Sequence, residues 1–290
     1  MKIFDTHTHY LDSAYDEDRD DVLKKIYKAG VEKVCMISAE IGDAQEIKDF
    51  VHEYNNKNLS KKEYPDFYYT VGIHPDEVPA FLPDSIEGSV ILNSFEEQAS
   101  DKYCIGIGEI GLDYYGPQKD DTVKACQKEW FRAQMELAGR CRLPIVIHSR
   151  EAASDTHEML KGASDILNDT SGILHCYSYD SEMAKLFMKF PIYFGIGGVV
   201  TFSNGKKLKA ALSDVIPYER VVTETDCPYL SPTPFRGERN DSSNLQFIIE
   251  TLNDIYGSNI ENSLYENAHN IYKKVQKWTR AMSEKTDIKC

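Results

Sequence analysis

No run of apolar residues in this 290-residue chain approaches the ~20 needed to cross a bilayer as a helix, so no membrane span is expected. Ile3 and Phe4 are followed at once by Asp5, which predicts no signal peptide. The seven cysteines include no CxxC pair. Cys35, Cys104 and Cys176 lie inside apolar runs and read as buried thiols in a reducing cytoplasm, not as disulfides or ligands. A positive charge balance is missing as well: 33 Lys and Arg face 47 Asp and Glu, for a formal charge of −14. A protein that wraps duplex nucleic acid without regard to sequence carries a basic face. Any phosphate-rich partner must therefore be held by local cations or by metal ions. There is no low-complexity segment and no persuasive linker. The long polar stretch at 55–66 reads as a surface excursion, and the expected organisation is one domain over 1–278 with a polar tail over 279–290.

What the chain does contain is a repeated unit. Short β-rich runs occur at 2–5, 32–38, 67–73, 103–109, 144–148, 172–176, 191–197 and 220–226. Amphipathic stretches separate them. Over 16–30, Val22, Leu23, Ile26 and Ala29 recur at helical spacing and Gly30 is a stop signal. Residues 42–56 and 124–141 behave alike, and 242–257 and 260–278 look like closing helices. Alternating strands and helices imply βα units and a parallel sheet. Eight of them predict a closed (β/α)8 TIM barrel, with an open doubly wound sheet as the alternative.

The stretch DTHTH at 5–9 places Asp5, His7 and His9 at every second position, on one face of an extended chain. In parallel barrels functional groups gather at the C-terminal ends of strands. Those ends carry five of the eight histidines, His7, His9, His74, His148 and His175, together with Glu109, Glu224 and Asp226. The others, His52, His157 and His269, fall in helical segments. Each site position has a bland reading, as a capped core histidine or an ion-paired carboxylate. As a set, imidazoles and carboxylates crowded at one barrel mouth leave charges and buried polar groups unsatisfied, and divalent cations resolve both problems. Six nitrogen and oxygen ligands suit two ions of Zn, Mn, Ni or Mg type sharing a carboxylate, an arrangement fit for hydrolysis.

The ordered stretches DTHTHYLD, VGIHP, IGEIGLDYY, PIVIHSREA, LHCYS and ETDCPYLSPTPFRGERN, with NAHNIYKKV as closing helix, resemble the TatD family of metal-dependent deoxyribonucleases, within the amidohydrolase-type barrels. The resemblance implies that His7, His9, Glu109 and Asp226 bind one divalent metal, and that Glu109 bridges to a second held by His148 and His175. It further implies that Asp226 orients the attacking water, that Glu224 is a supporting catalytic carboxylate, and that His74 contacts the substrate phosphate. Arg150, Arg236 and Arg239 are additional candidates for phosphate contacts, the last two alternatively bracing strand-end carboxylates. DSSN after RGERN, and Tyr10 after the second histidine, depart from the family's usual residues and bear on the shape of the cleft.

The expected substrate is DNA at single-stranded or frayed ends, and a monomer is compatible with the sequence. An enzyme acting on a small ester, amide or phosphoester is the alternative. Many such barrels bridge their metals with a carbamylated lysine on the fourth strand, and this one offers Glu109 there and no lysine. A metal-binding or nucleic-acid-binding module without turnover is the third reading, which the complete ligand set with Asp226 and Glu224 disfavours.

Overall fold

A computed structural model describes residues 2–116 and 120–273. The polar tail expected at 279–290 and the end of the closing helix lie outside these residues. Eight strands run in chain order: β1 (Ile3–Thr8), β2 (Val31–Met36), β3 (Asp66–Val71), β4 (Cys104–Asp113), β5 (Ile145–Arg150), β6 (Gly172–Leu174), β7 (Ile192–Ile196) and β8 (Val221–Thr223). Each pairs in parallel with the next, in the order β1 to β8. The helices between them are α1 (Arg19–Lys28), α2 (Asp43–Ser60), α3 (Ile86–Ala99), α4 (Asp121–Cys141) and α5 (Ala153–Gly162). They continue with α6 (Ser164–Thr170), α7 (Ser181–Phe187), α8 (Lys206–Asp214), α9 (Leu245–Tyr256) and α10 (Glu261–Ile271). The architecture is the expected TIM barrel. No helix among the described residues is long and apolar enough to cross a membrane.

Two apolar layers follow from the strand alternation. A large cluster joins the helices to the outer faces of the strands, through residues such as Leu23, Val34, Phe67, Trp130, Ile145 and Phe194. A smaller one takes Phe4, Cys35, Tyr68, Ile105, Ile173 and Val222, from six different strands, and fills the barrel. Ala268 and Ile271 of α10, with Tyr272, complete that inner cluster. A filled barrel leaves chemistry only to the groups at its mouth.

The last seam, between β8 and β1, is short of ladder bonds and is closed by side chains and strand ends. Asp226 N donates to His7 O and His9 N to Cys227 O, both at 3.0 Å. Below them the buried Asp5 carboxylate accepts from Thr225 N at 3.0 Å and from Thr225 Oγ1 at 2.6 Å. Burial outweighs these bonds and pushes the Asp5 carboxyl up to about 7. Asp5 thus does not join His7 and His9 at the mouth; it ties the ring shut beneath them.

Of the boundaries that differ from the sequence reading, two have a clear packing reason. Residues 55–60 are not part of a surface excursion but the last turns of α2. Asn55 is buried there and exchanges two hydrogen bonds with the Phe67 backbone, so strand contact overrides its poor helix propensity. β4 continues past Glu109 to Asp113, because Ile110 and Leu112 are buried and pair with Ile147 and Ser149 of β5.

Asp5→Ala is expected to cost about 1–3 kcal/mol by stranding the Thr225 donors in the seam. Asp5→Asn, which keeps an acceptor, should cost less. Urea unfolding of metal-stripped protein measures both, and an Asp5→Ala variant as stable as the parent would show that the seam is held elsewhere.

Candidate metal centre

The strands that bring the first ligands are irregular where the ligands sit. Pairing of β1 with β2 slips between Asp5 and Thr8, and pairing of β4 with β5 slips between Ile107 and Ile110. Such irregularities re-aim side chains beside functional sites. Here they turn His7 and Glu109 toward each other, His7 Nε2 lying 3.2 Å from Glu109 Oε2. Asp226, beyond β8, has a left-handed backbone with φ of 58°. Its Oδ1 comes to 3.4 Å from His9 Nε2 and 3.7 Å from His7 Nε2.

The other oxygen of Glu109 faces a different group. Oε1 lies 2.8 Å from His148 Nδ1 and 3.9 Å from both His74 Nε2 and His175 Nε2. His175 Nε2 is also 3.8 Å from Asp226 Oδ1, and its ring stacks on that of His7 with centroids 3.4 Å apart. Candidate ligand atoms within 4.8 Å of one another fall into overlapping sets, His7–His9–Asp226 and His74–Glu109–His148 among them. Glu109 stands between two histidine groups, one oxygen to each.

Behind the cluster, further carboxylates hold the imidazoles from the rear. Asp113 Oδ2 lies 2.9 Å from His148 Nε2. Glu224 Oε1 lies 2.9 Å from His175 Nδ1 and accepts from Cys176 N at 2.6 Å. A histidine whose far nitrogen is held by a carboxylate is the usual support of a metal ligand. Asp113 is absent from the sequence-based candidates. The signal for it is its place on the face of Glu109, once β4 is known to run that far. Glu224, expected as a supporting carboxylate, is fully buried, does not line the cavity and meets His175 from the rear. Gly195 makes room for it, since a Cβ there would collide with the Glu224 carboxylate.

Electrostatics follow this arrangement. Burial opposes charge on Glu109, but His175 and His7 hold its carboxyl well below the usual range. Burial likewise disfavours charge on Asp226, and His9, His175 and His7 reverse that to give a lowered value. Burial pulls His148 and His175 down, yet their carboxylate partners win, raising them to about 9 and about 10. Burial, with His175 next to it, keeps His7 neutral. Neither nitrogen of that neutral, fully buried ring makes a well-directed hydrogen bond, Nε2 having only the 3.2 Å approach of Glu109 Oε2. Leaving buried polar atoms unpaired is costly, and a divalent cation at Nε2 supplies the missing partner there. The donor set of imidazole nitrogen and carboxylate oxygen fits such an ion. One further set, His175, Cys176 and Asp226, includes a thiol that burial pushes well up.

The remaining candidates divide. His74 Nδ1 accepts from Asp76 N at 3.1 Å, so the ring proton sits on Nε2 and points at the cluster. Burial lowers His74 to about 4, leaving a neutral donor at physiological pH. Arg150 lines the cavity, its guanidinium 3.8 Å over the Tyr115 ring. Arg236 lines a separate cavity. Arg239 lines neither: it donates to both oxygens of Asp18, at 2.8 and 2.6 Å, and to Ala14 O, as a brace between the loop after β8 and the segment before α1. Of the histidines in helical segments, His52 meets Asp101 at 2.9 Å and His157 packs on Phe187 and Phe190, away from the mouth.

Comparison with known proteins agrees with this geometry. A family described as TatD related DNase matches residues 4–273. An uncharacterized metal-dependent hydrolase of Bacillus subtilis, YabD, is 34% identical over 256 residues, covering 87% of this chain and 91% of that protein. Among solved structures, a TatD homologue from Escherichia coli superposes with a TM-score of 0.79 at 22% identity, covering 93% of this chain and 98% of its own. A TatD family hydrolase from Entamoeba histolytica gives 0.78 at 22% identity, covering 94% and 98%. At that identity the two structures speak to the barrel alone.

Because His7 lacks well-directed partners, adding Mn²⁺ or Zn²⁺ to metal-stripped protein should stabilise it, by about 2.7 kcal/mol at a hundredfold excess over Kd. His7→Ala should lose much of that gain. Thermal unfolding with and without chelator checks this, and equal melting of stripped and loaded protein would remove the metal from the site.

Proposed function

The chain belongs to the TatD-related DNase family of metal-dependent hydrolases, and from that premise we propose that it is a deoxyribonuclease cleaving phosphodiester bonds from DNA strand ends with two divalent ions. One observation carries the two-ion reading: the oxygens of Glu109 lie 3.2 Å from His7 and 2.8 Å from His148, on opposite sides of one buried carboxylate. His7, His9, Glu109 and Asp226 would hold one ion, and Glu109, His148 and His175 the other, as Mg, Mn or Zn. Ions held there lower the pKa of water toward ~7 and neutralise charge developing on a phosphoryl group.

The side chains supply the remaining steps. Asp226 is the one ligand carboxylate with appreciable exposure, its side chain 19% accessible against 5% for Glu109. Kept charged by His9 and its neighbours, it takes the proton of the attacking water. Glu224 and Asp113 fix the rings of His175 and His148. His74 donates its Nε2 proton to a phosphate oxygen, and Arg150 adds a positive charge at the same wall. Tyr229, 56% exposed on the rim with its hydroxyl tied to Asp12 at 2.8 Å, offers a face on which a base can stack.

An acidic body argues for strand ends over duplex interiors. With a net charge of −14, long-range repulsion opposes a polyanion, and attraction is confined to the ions and a few cations at the mouth. The cavity, of about 730 Å³, takes a terminal nucleotide and its phosphate but not a double helix. No described cysteine is in a disulfide, which suits a reducing cytoplasm.

Elemental analysis after reconstitution should find close to two ions per chain. Glu109→Ala should lower both occupancies, and His9→Ala or His148→Ala one each; loss of a single ion from Glu109→Ala would end the bridging role. Asp226→Asn should reduce hydrolysis by roughly 10²–10⁴-fold with the fold intact, since an amide accepts no proton from water. On end-labelled oligonucleotides the parent should yield a ladder growing from one end. Binding by Asp226→Asn should weaken with salt as for only about two to four phosphates. Efficient cutting of closed circular duplex, or hydrolysis of small esters and amides but no nucleotide, would overturn the reading.

A further inference from the structure

The barrel mouth is electrically divided. The wall of the main cavity on the β1–β3 side carries Asp12, Glu40, Asp43, Glu46, Asp76 and Glu77. Arg150 is the only Lys or Arg among the described residues lining that cavity. Across the mouth is a second cavity of about 320 Å³, lined by Ser178, Phe202, Asn204, Lys207 and Arg236 with no carboxylate. Ser178 lies in the loop after β6, Phe202 to Lys207 in the segment after β7, and Arg236 in the loop after β8. This cavity therefore opens on the same face as the metal cluster, on its far side from α2.

Its two cations differ from several others on this surface. Arg239, Lys25, Lys128 and Arg140 are each tied to a carboxylate. Among the described residues neither Lys207 nor Arg236 has such a partner, although both are exposed. Arg236 is nonetheless held in place: its guanidinium lies 4.3 Å over the buried Phe202 ring. A guanidinium seated on a ring by its face keeps its edge N–H groups available for a planar or tetrahedral anion. Ser178 and Asn204 add hydrogen-bonding groups to the same walls.

We infer that this cavity is a phosphate subsite for a nucleotide adjoining the one cleaved, so that a bound strand leaves the metal cluster across β6–β8 and not across α2. The inference rests on the nuclease reading above. A phosphate passing over the β1–β3 wall meets six carboxylates lining one cavity, close enough to act within the roughly 8 Å over which salt screens charge. On the opposite side it meets two unpaired cations. The strand's path follows from that difference.

The test compares an oligonucleotide with a mononucleotide ester too short to reach the second cavity, thymidine 5′-(p-nitrophenyl phosphate), using metal-loaded protein. In a Lys207→Ala/Arg236→Ala variant the ratio of kcat/KM for the single-stranded oligonucleotide to that for the ester should fall roughly tenfold, equivalent to about 1.4 kcal/mol. In the Asp226→Asn background the same two substitutions should make the salt dependence of oligonucleotide binding shallower, by roughly 0.7 for each phosphate that is no longer neutralised. An unchanged ratio with an unchanged slope would overturn the subsite, whether or not overall activity fell. If the parent hydrolyses neither substrate, the nuclease reading fails, and the binding slope still decides the subsite.

Discussion

One buried carboxylate sets the terms for the barrel mouth. Glu109 is 4% exposed and has imidazoles on both sides, so its charge is stable only while they or metal ions answer it. That demand propagates outward. His148 and His175 approach Glu109 because Asp113 and Glu224 hold them from the rear, and those carboxylates need buried places of their own. Glu224 obtains one from the missing side chain of Gly195, and Asp113 from the extension of β4 alongside β5. The layers of the mouth are thus mutually dependent, with the charged inner layer kept in register by carboxylates that hold its imidazoles from behind.

The same reasoning explains why the ring is closed as it is. A seam made only of ladder bonds between β8 and β1 would fix the backbone but leave Thr223 to Cys227 free to settle in more than one way. Asp5 removes that freedom by binding both the amide and the hydroxyl of Thr225, one residue before Asp226. Its raised carboxyl shows that the placement is made against the cost of burial. A buried acid used as a fastener next to a ligand is reasonable where geometry matters more than stability, because ligand angles depend on the position of the strand end.

Much of this is legible in the residues. The spacing of apolar runs gives the alternating units, and strand-end histidines and acids mark the mouth, because parallel strands all deliver their C-terminal ends to one face. What cannot be read is what tertiary contact decides. Asp113 escapes notice because nothing local says that β4 outlasts Glu109; the pairing partner in β5 says so. Glu224 and Asp226, two apart, look alike in sequence, and only the left-handed turn at Asp226 sends one to the cavity and the other behind His175. Arg236 and Arg239, in a single motif, part for a similar reason: Asp18, far away in sequence, captures Arg239 and leaves Arg236 to the Phe202 ring. Asn55 to Ser60 read as loop by composition, while the Phe67 backbone makes them helix.

The charge of the whole molecule takes its meaning from this local sorting. A value of −14 describes attraction poorly, because a cation paired to a carboxylate contributes little field beyond a Debye length. What a nearby phosphate feels is the small set of cations without partners, and at the mouth that set lies on one side. Acidic residues opposite do not merely fail to bind: they raise the energy of every path but one. Such a division confers orientation without affinity, since repulsion from the wrong wall selects a direction even where attraction to the right one is modest. On the proposed reading, with cleavage at strand ends, that is sufficient, because the strand must enter in one sense and the shortened product must leave.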